Sequence, residues 1–369
     1  MTGIFTVILS FYCILLIVLL VGWILVRRQS ISLNKVATPG ISIVLAARNE
    51  TNLIENIITD FSRIAYPSDK FEAIIVNDHS TDDTVLRAEQ LTKNFSNIRI
   101  LHLPQGKEGK KQALTFGIEN SSFEIIAATD ADCRISKNWL RCIASHFETD
   151  ETKMVIGAVK LTAGKSFFKR LQVMEFISLV GSTASTIGLG HPIMCNGANL
   201  AFRKDTFKEV KGYEGNLQIA SGDDEFLMRK IFKRYPTGIK FLNFYEAVVS
   251  SLPQESISGF FQQRLRWAGK WKHNSDLVTQ AIAVLILLAQ ISFIGLIIRN
   301  LNSVDATVVL IGVKLFLEGT MIFWTGRFLE RRFDVLAFAA LQILYPVYVV
   351  VIGIASLMIS YRWKNRNYK

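Results

Sequence analysis

Apolar residues fall along this chain in two rhythms, and the first is unbroken length. No charged residue occurs from Met1 to Val26, and Arg27-Arg28 come directly after. The core stretch Ile4–Val26 is 23 residues long, enough at about 1.5 Å per residue to cross a hydrocarbon layer roughly 30 Å thick. It reads as a retained anchor. A cleaved signal peptide would carry its positive charges ahead of a shorter apolar run and end on a small-residue cleavage site. The positive-inside rule puts Arg27-Arg28 and the residues after them in the cytoplasm. Three more stretches come late: Leu277–Ile298, Ala306–Thr325 and Val335–Ser360. The first and third are uncharged, and Pro346 is expected to kink the third. The middle one carries Lys314 and Glu318, four residues apart and so able to pair on one helix face. Lys270, Lys272, Arg327, Arg331 and Arg332 send the fourth span outward, against a basic tail of Arg362, Lys364, Arg366 and Lys369. One of the last three stretches is therefore expected to be re-entrant or interfacial.

The second rhythm is short and repeated. Ile41–Ala47, Ala73–Asn77, Ile98–Leu103, Glu124–Thr129 and Met154–Leu161 are β-branched, mostly apolar runs that predict buried strands. Helical patterns fit between them near Glu50–Arg63, Asp83–Phe95, Lys110–Glu119 and Asn138–Glu148, the second opened by a capping box, Ser80-x-x-Asp83. Strands alternating with helices predict an α/β domain with a mostly parallel sheet, whose ligands collect at the carboxyl ends of its strands. The expected organisation is an anchor over 1–34, the α/β domain over 35–253, an interfacial helix over 254–275 and a membrane region over 276–369.

Charge sharpens this division. The 369 residues are half hydrophobic and carry a formal net charge of +11. Residues 35–253 hold 27 Lys+Arg against 25 Asp+Glu, so they contribute only +2, whereas 254–369 contribute +7. The excess flanks the apolar stretches, where it orients helices and meets anionic headgroups. A nucleic-acid-binding protein would carry it on the folded domain. Cys13, Cys133, Cys142 and Cys195 form no CxxC pair, so neither a zinc knuckle nor a disulfide framework is indicated.

The expected strand ends carry the chemistry. Arg48-Asn49-Glu50, Asp78-His79-Ser80 and Asp130-Ala131-Asp132 come directly after three successive candidate strands. Asp130-x-Asp132 offers two carboxylates at alternate positions, suited to a divalent cation that completes its shell with substrate phosphate oxygens. Gly109-Lys110-Lys111 opens a helix and suits phosphate, although the spacing is not that of a Walker A loop. Ser221-Gly222-Asp223-Asp224-Glu225 stacks three acids, a candidate proton acceptor. Just before the second apolar stretch, Phe260, Arg264, Trp267 and Trp271 share a face at helical spacing, as on an interfacial helix.

Taken in order, Ala47-Arg48-Asn49-Glu50, Asp78-x-Ser80, Gly109-Lys110, Asp130-x-Asp132, Gly197-x-Asn199-x-Ala201-Phe202-Arg203, Asp223-Asp224 and Gln263-x-x-Arg266-Trp267 resemble a family 2 glycosyltransferase. The likeness is to the membrane-bound branch, which includes cellulose, chitin and hyaluronan synthases and ceramide glucosyltransferases. It covers residues from about 40 to 270. The resemblance implies a GT-A fold, Rossmann-like, binding a nucleotide-diphosphate sugar. It implies that Glu50 and Asp78 contact the nucleoside, that Lys110 lies beside the donor and that Asp130 holds donor ribose or sugar. Asp132 would ligate Mn²⁺ or Mg²⁺, and Asp224, supported by Asp223, would be the general base. Gln263, Arg266 and Trp267 match the family's Q-x-x-R-W motif, in which Arg266 would face the diphosphate and Trp267 would border the acceptor. Two positions depart from the family pattern: Asn77 stands where a second acid is frequent, and Asp223 where a glutamate is.

The expected activity is an inverting, membrane-bound transfer from a nucleotide-diphosphate sugar, of the UDP-sugar class, to a lipid or lipid-linked acceptor at the cytoplasmic membrane face. The alternatives are a processive polysaccharide synthase and, outside enzymes, a nucleotide-sugar-binding membrane scaffold. No nucleic-acid partner is expected.

Overall fold

The structure, a computed structural model, describes residues 2–29, 33, 37–217, 221–269, 276–302, 305–358, 361–363 and 366–368. Lys270, Trp271, Lys272, Lys364 and Lys369 lie outside the described residues, as do the residues at the expected 34/35 boundary.

In chain order, α1 (Thr2–Arg28) is followed by β1 (Ile41–Ala47), α2 (Ile54–Ser62), β2 (Phe71–Asn77), α3 (Thr84–Thr92) and β3 (Ile98–His102). Then come α4 (Lys110–Glu119), β4 (Ile125–Ala128), α5 (Trp139–Ala144), β5 (Met154–Gly157) and β6 (Val159–Leu161). Next are α6 (Phe167–Gly188), β7 (Leu200–Arg203), α7 (Lys204–Glu209), α8 (Asp223–Arg234), β8 (Ile239–Leu242) and β9 (Val249–Ser251). Last come α9 (Ile257–Ala268), α10 (Leu277–Asn302), α11 (Thr307–Phe328), α12 (Val335–Met358), β10 (Tyr361–Trp363) and β11 (Arg366–Tyr368). Two compact units separate: Leu25–Thr162 with Thr186–Leu252, and Met1–Ile24 with Ala163–Ser185 and Pro253–Lys369. The chain thus leaves the α/β unit at Ala163 and re-enters it at Thr186, inside the single span expected over 35–253.

The α/β unit is built on a seven-stranded sheet in the order β3-β2-β1-β4-β7-β5-β8. β1 runs parallel to β2 and β4, and β2 parallel to β3. Continuous apolar runs form these strands because both faces are covered: every residue of β2 and β4 is buried. The order reverses between β1 and β4, which makes the crevice at their carboxyl ends the switch point where such sheets bind ligands. β7 is the exception to the parallel rule, antiparallel to both β4 and β5. Its start therefore lies at the carboxyl edge of β4, with Leu200 opposite Ala128.

Two local expectations are corrected. Met154–Leu161 is not one strand: β5 joins the large sheet, while β6 pairs in parallel with β9. The intervening Ala158 carbonyl is taken by the Asn199 amide, Nδ2 donating to Ala158 O and to Ala247 O at 2.8 Å each. Asn199 Oδ1 in turn accepts from Trp139 Nε1 at 3.0 Å. The capping box at α3 does not form either. Asp83 makes no side-chain cap hydrogen bond; instead Asp82 Oδ1 accepts from the Thr84 amide at 3.1 Å, and Ser80 Oγ accepts from the Asn49 amide at 3.2 Å.

The Asn199 hub yields a stability prediction. Asn199→Ala strands the Ala247 carbonyl and the Trp139 indole N–H in a site only 1% exposed, while the Ala158 carbonyl keeps its bond from the Val249 amide. Each buried orphan costs about 1–3 kcal/mol, so the melting temperature of the α/β unit is expected to fall by roughly 5–20 °C. A thermal melt followed by near-ultraviolet circular dichroism measures it, and an unchanged midpoint would show that Asn199 does not hold this junction.

In the other unit, α1, α10, α11 and α12 are long and apolar enough to cross a membrane. Each of the three late apolar stretches forms one helix, so no re-entrant break interrupts them among the described residues, and α12 continues through Pro346. The lower mean hydropathy of α11, 1.7, reflects its ion pair. Lys314 Nζ lies 3.0 Å from Glu318 Oε2 and 3.8 Å from the Phe293 ring centroid, and donates to Gln342 Oε1. Tyr12 donates to Glu318 Oε1 at 2.8 Å. All four helices thus converge on one buried pair, which satisfies the hydrogen-bonding groups that make a charge so costly in lipid. Arg362 and Arg366, from the basic tail, sit in the antiparallel pair β10–β11.

Candidate active site

Because β1, β2 and β4 are parallel, Arg48-Asn49-Glu50, Asp78 and Asp130-x-Asp132 all emerge at one edge of the sheet, as the sequence pattern implied. Asp78 is 3% exposed. Its two carboxylate oxygens each accept from the Gly109 amide at 3.1 Å. Gly109 caps α4 at φ +95°, where a side chain would be strained. Arg48 Nη1 donates to the Asp78 carbonyl at 2.8 Å and lies 3.9 Å from its carboxylate. Glu50 is fixed through its backbone, whose amide donates to Thr84 Oγ1 at 2.7 Å. Asp78 therefore fixes the turn that aims Lys110.

Lys110 reaches two carboxylates from distant parts of the chain. Its Nζ is 2.7 Å from Asp130 Oδ1 and 3.4 Å from Asp223 Oδ2. Burial works against the ammonium, but Asp130 and Asp223 raise its pKa well above the ordinary lysine value, so it stays charged. Asp224 stands beside this pair at the start of α8. Its Oδ2 accepts from the Gly197 amide at 2.9 Å and its Oδ1 from the Glu225 amide at 2.8 Å. The acids are buried, Asp223 and Asp224 at 8% exposure each. Gly197 packs closely on this cluster: a Cβ there would lie 3.2 Å from Asp223 Oδ2, so that carboxylate would have to give by a few tenths of an ångström.

Of three supporting residues, Tyr213 and Asp82 were not singled out by the sequence pattern, and Lys111 read there only as part of a turn suited to phosphate. Lys111 Nζ donates to the carbonyls of Asn216 and Ser221 at 2.7 and 3.1 Å, and lies 5.1 Å from the Phe226 ring centroid. It ties α4 to the segment entering α8. Tyr213 is buried against the same acids, and burial, then Asp223, push its phenol well above the ordinary value. Asp82 organises the β2–α3 turn. Desolvation raises its pKa, but hydrogen bonds from Thr51 and Thr84 outweigh that and hold its carboxyl down at about 2. An adjacent Lys-Lys pair and the acids Asp82-Asp83 soon after Asp78 were the only signals available.

Gln263, Arg266 and Trp267 lie on α9, in the second unit. The helix opens on a Ser256 cap, whose Oγ accepts from the Gly259 amide at 3.1 Å. Phe260, Arg264 and Trp267 share a face, as helical spacing predicted; the Arg264 guanidinium carbon sits 4.3 Å from both ring centroids.

No three His, Cys, Asp or Glu side chains among the described residues converge as a metal cage. The donor chemistry at β4 suits an open site instead. Asp132 is exposed and the Asp130 side chain is one-third exposed, while Lys110, Asp130, Asp223 and Asp224 together leave a net negative charge. One or two accessible carboxylates plus substrate oxygens are what Mg²⁺ and Mn²⁺ accept.

Known proteins share this sequence pattern and this fold. The chain aligns with poly-beta-1,6-N-acetyl-D-glucosamine synthase of Staphylococcus epidermidis at 23% identity over 333 residues, 89% of this chain and 76% of that protein. The counterpart in Staphylococcus aureus strain MSSA476 is 28% identical over 232 residues, 62% of this chain and about half, 54%, of the relative. Among solved structures, the mannosyltransferase PcManGT of Pyrobaculum calidifontis, in complex with GDP-Man and Mn²⁺, superposes with a TM-score of 0.57 at 16% identity, covering 97% of this chain and 99% of that one. That likeness is one of fold, the GT-A arrangement of a mostly parallel sheet with flanking helices. The profile of Glycosyl transferase family 2 matches residues 42–234, more than half of the chain and the whole run from β1 to the end of α8. With the acids at the sheet edge and that match, the chain belongs to glycosyl transferase family 2 and is a glycosyltransferase.

Proposed function

We propose that this glycosyltransferase is an integral membrane protein that moves a sugar from a nucleotide-diphosphate sugar, of the UDP-sugar class, to a hydroxyl of a lipid or lipid-linked acceptor at the cytoplasmic membrane face. The observation that carries the reading is the meeting of Lys110, Asp130, Asp223 and Asp224 at the carboxyl edge of the sheet, beside the β1/β4 switch point. In this organisation 1–34 anchors the chain, 35–253 is the catalytic domain, 254–275 lies at the membrane interface and 276–369 is membrane-embedded. Arg27-Arg28 support the cytoplasmic orientation.

Asp224 takes the proton of the acceptor hydroxyl as that oxygen bonds to the anomeric carbon. The bond from that carbon to the diphosphate breaks on the opposite face, so configuration inverts. Proton transfer to a placed base contributes about 10²–10⁴-fold. The two backbone amides on Asp224 fix its direction, and Asp223 holds Lys110 in place beside it. Glu50 and Asp78 serve the nucleoside and its loop, and Asp130 the donor ribose or sugar. Asp132, with Asp130, would hold Mn²⁺ or Mg²⁺, which when bound neutralises charge developing on the diphosphate. Gln263, Arg266 and Trp267 serve the departing diphosphate and the acceptor. The Mn²⁺ and GDP-Man named with the mannosyltransferase support a metal and a nucleotide sugar here too.

A second reading, a processive polysaccharide synthase, is favoured by the names of the staphylococcal relatives. Those names also make UDP-N-acetylglucosamine the first donor to try. Product sizing after incubation of membranes with labelled donor separates the two: single transfer gives one short lipid-extractable product, and a ladder of long chains would establish the synthase instead.

A further inference from the structure

We propose that Glu175 and Arg264 are a positioning pair for the Gln263-x-x-Arg266-Trp267 segment, and that Tyr348 fastens the pair to the last apolar helix. The proposal rests on the functional reading above, in which that segment serves the reaction. Arg264 Nε donates to Glu175 Oε1 at 3.2 Å and Nη2 to Oε2 at 2.5 Å, so α9 is forked onto α6. Both groups are buried, at 4% and 6% exposure. Tyr348, on α12, donates to the same Glu175 Oε1 at 3.0 Å. One carboxylate thus joins three helices.

The same guanidinium also holds two side chains of the segment. Its Nη1 donates to Gln263 Oε1 at 2.5 Å. The guanidinium carbon lies over the rings of both Phe260 and Trp267, each centroid 4.3 Å away, and Trp267 in turn meets Phe176 of α6 at 6.2 Å. A buried ion pair adds little stability over apolar packing, so stability alone is a weak reason for one here. What it supplies is a fixed direction. Arginine offers a planar fork with five donors that can bind a carboxylate, bond an amide and stack at once, whereas lysine offers charge alone. Gln263 and Trp267 each have rotamers to lose, and Arg264 takes that choice away before substrate arrives. Glu175 fixes Arg264 in the same way.

The test uses the full-length protein in lipid nanodiscs. Turnover is read as nucleoside diphosphate released from UDP-N-acetylglucosamine or, if the wild type prefers another, from the best UDP- or GDP-sugar of a panel; binding is read as the Kd for UDP with Mn²⁺. Arg264→Lys keeps the charge and is expected to lower kcat about 10- to 100-fold, the usual consequence of misplaced catalytic groups, with the Kd for UDP changed less than threefold. Glu175→Gln is expected to do the same, and Glu175→Asp to restore part of the loss. Tyr348→Phe should cost only a few fold. Wild-type kcat in both Arg264→Lys and Glu175→Gln would overturn the proposal. So would parallel losses of kcat and UDP binding, which mark unfolding; should Glu175→Gln not fold, Arg264→Lys decides alone. Asp224→Asn is run beside them: turnover retained there defeats the functional reading itself, whereas turnover retained only in the Arg264 and Glu175 variants defeats this inference.

Discussion

Asp224→Asn is expected to bind donor within about threefold of the wild type while turnover falls about 10²–10⁴-fold, the share supplied by a placed base. The substitution keeps the shape and removes the charge that accepts the proton. Asp224 is held by the amides of Gly197 and Glu225, and an asparagine can accept from only one of them, so some loosening of the Gly197 turn accompanies the lost base. A thermal melt controls for that. Donor affinity should survive because the groups proposed for the nucleoside end, Glu50 and Asp78, are anchored separately, through Thr84 and Gly109. Asp224→Glu provides the second arm: it keeps the charge but shifts it, and should fall between the two. Turnover within tenfold of wild type in Asp224→Asn would remove Asp224 from the role of base.

Asp132→Ala is expected to leave folding intact and to abolish the response of turnover to Mn²⁺. Asp132 is exposed beyond the end of β4, so its side chain fills none of the core. A metal that stabilises a leaving diphosphate supplies several kcal/mol, which corresponds to a loss on the order of 10³-fold. Manganese titration by electron paramagnetic resonance, with UDP present, reads the site without relying on activity. At least a tenfold weaker affinity is expected, and an unchanged titration would show that the ion is held elsewhere.

Much of the sheet was legible because burial on both faces writes a strand as an unbroken apolar run: β1 matches its expected bounds, and β2 and β4 lie within two residues of theirs. β7 was not legible as a strand. Its four residues end in Arg203, whose guanidinium satisfies the carbonyls of Thr152 and Thr149, and its antiparallel direction shows only in its pairing between β4 and β5, not in the local pattern. The division of 154–161 hid for a related reason, since the amide that ends β5 belongs to Asn199, some forty residues on. Local hydrogen bonds also chose between adjacent acids at α3, favouring Asp82 over Asp83.

The acids of the candidate site were legible as motifs at strand ends, but their partners were not. Lys110 read as a phosphate ligand, and it is the link between Asp130 and Asp223, which lie far apart in sequence. Arg264 read as one residue on an interfacial face, yet its guanidinium is buried on Glu175. A lone acid inside the apolar run around Val173–Val180 was the available signal, because such a carboxylate must find a cation or stay out of the core.

The central claim is tested most directly by nucleoside diphosphate release from purified full-length protein in nanodiscs, across a panel of UDP- and GDP-sugars. Release from at least one donor is predicted, UDP-N-acetylglucosamine first among them, stopping with a chelator, resuming with Mn²⁺ and failing in Asp224→Asn. No release from any donor, or release that persists undiminished in Asp224→Asn, would contradict it.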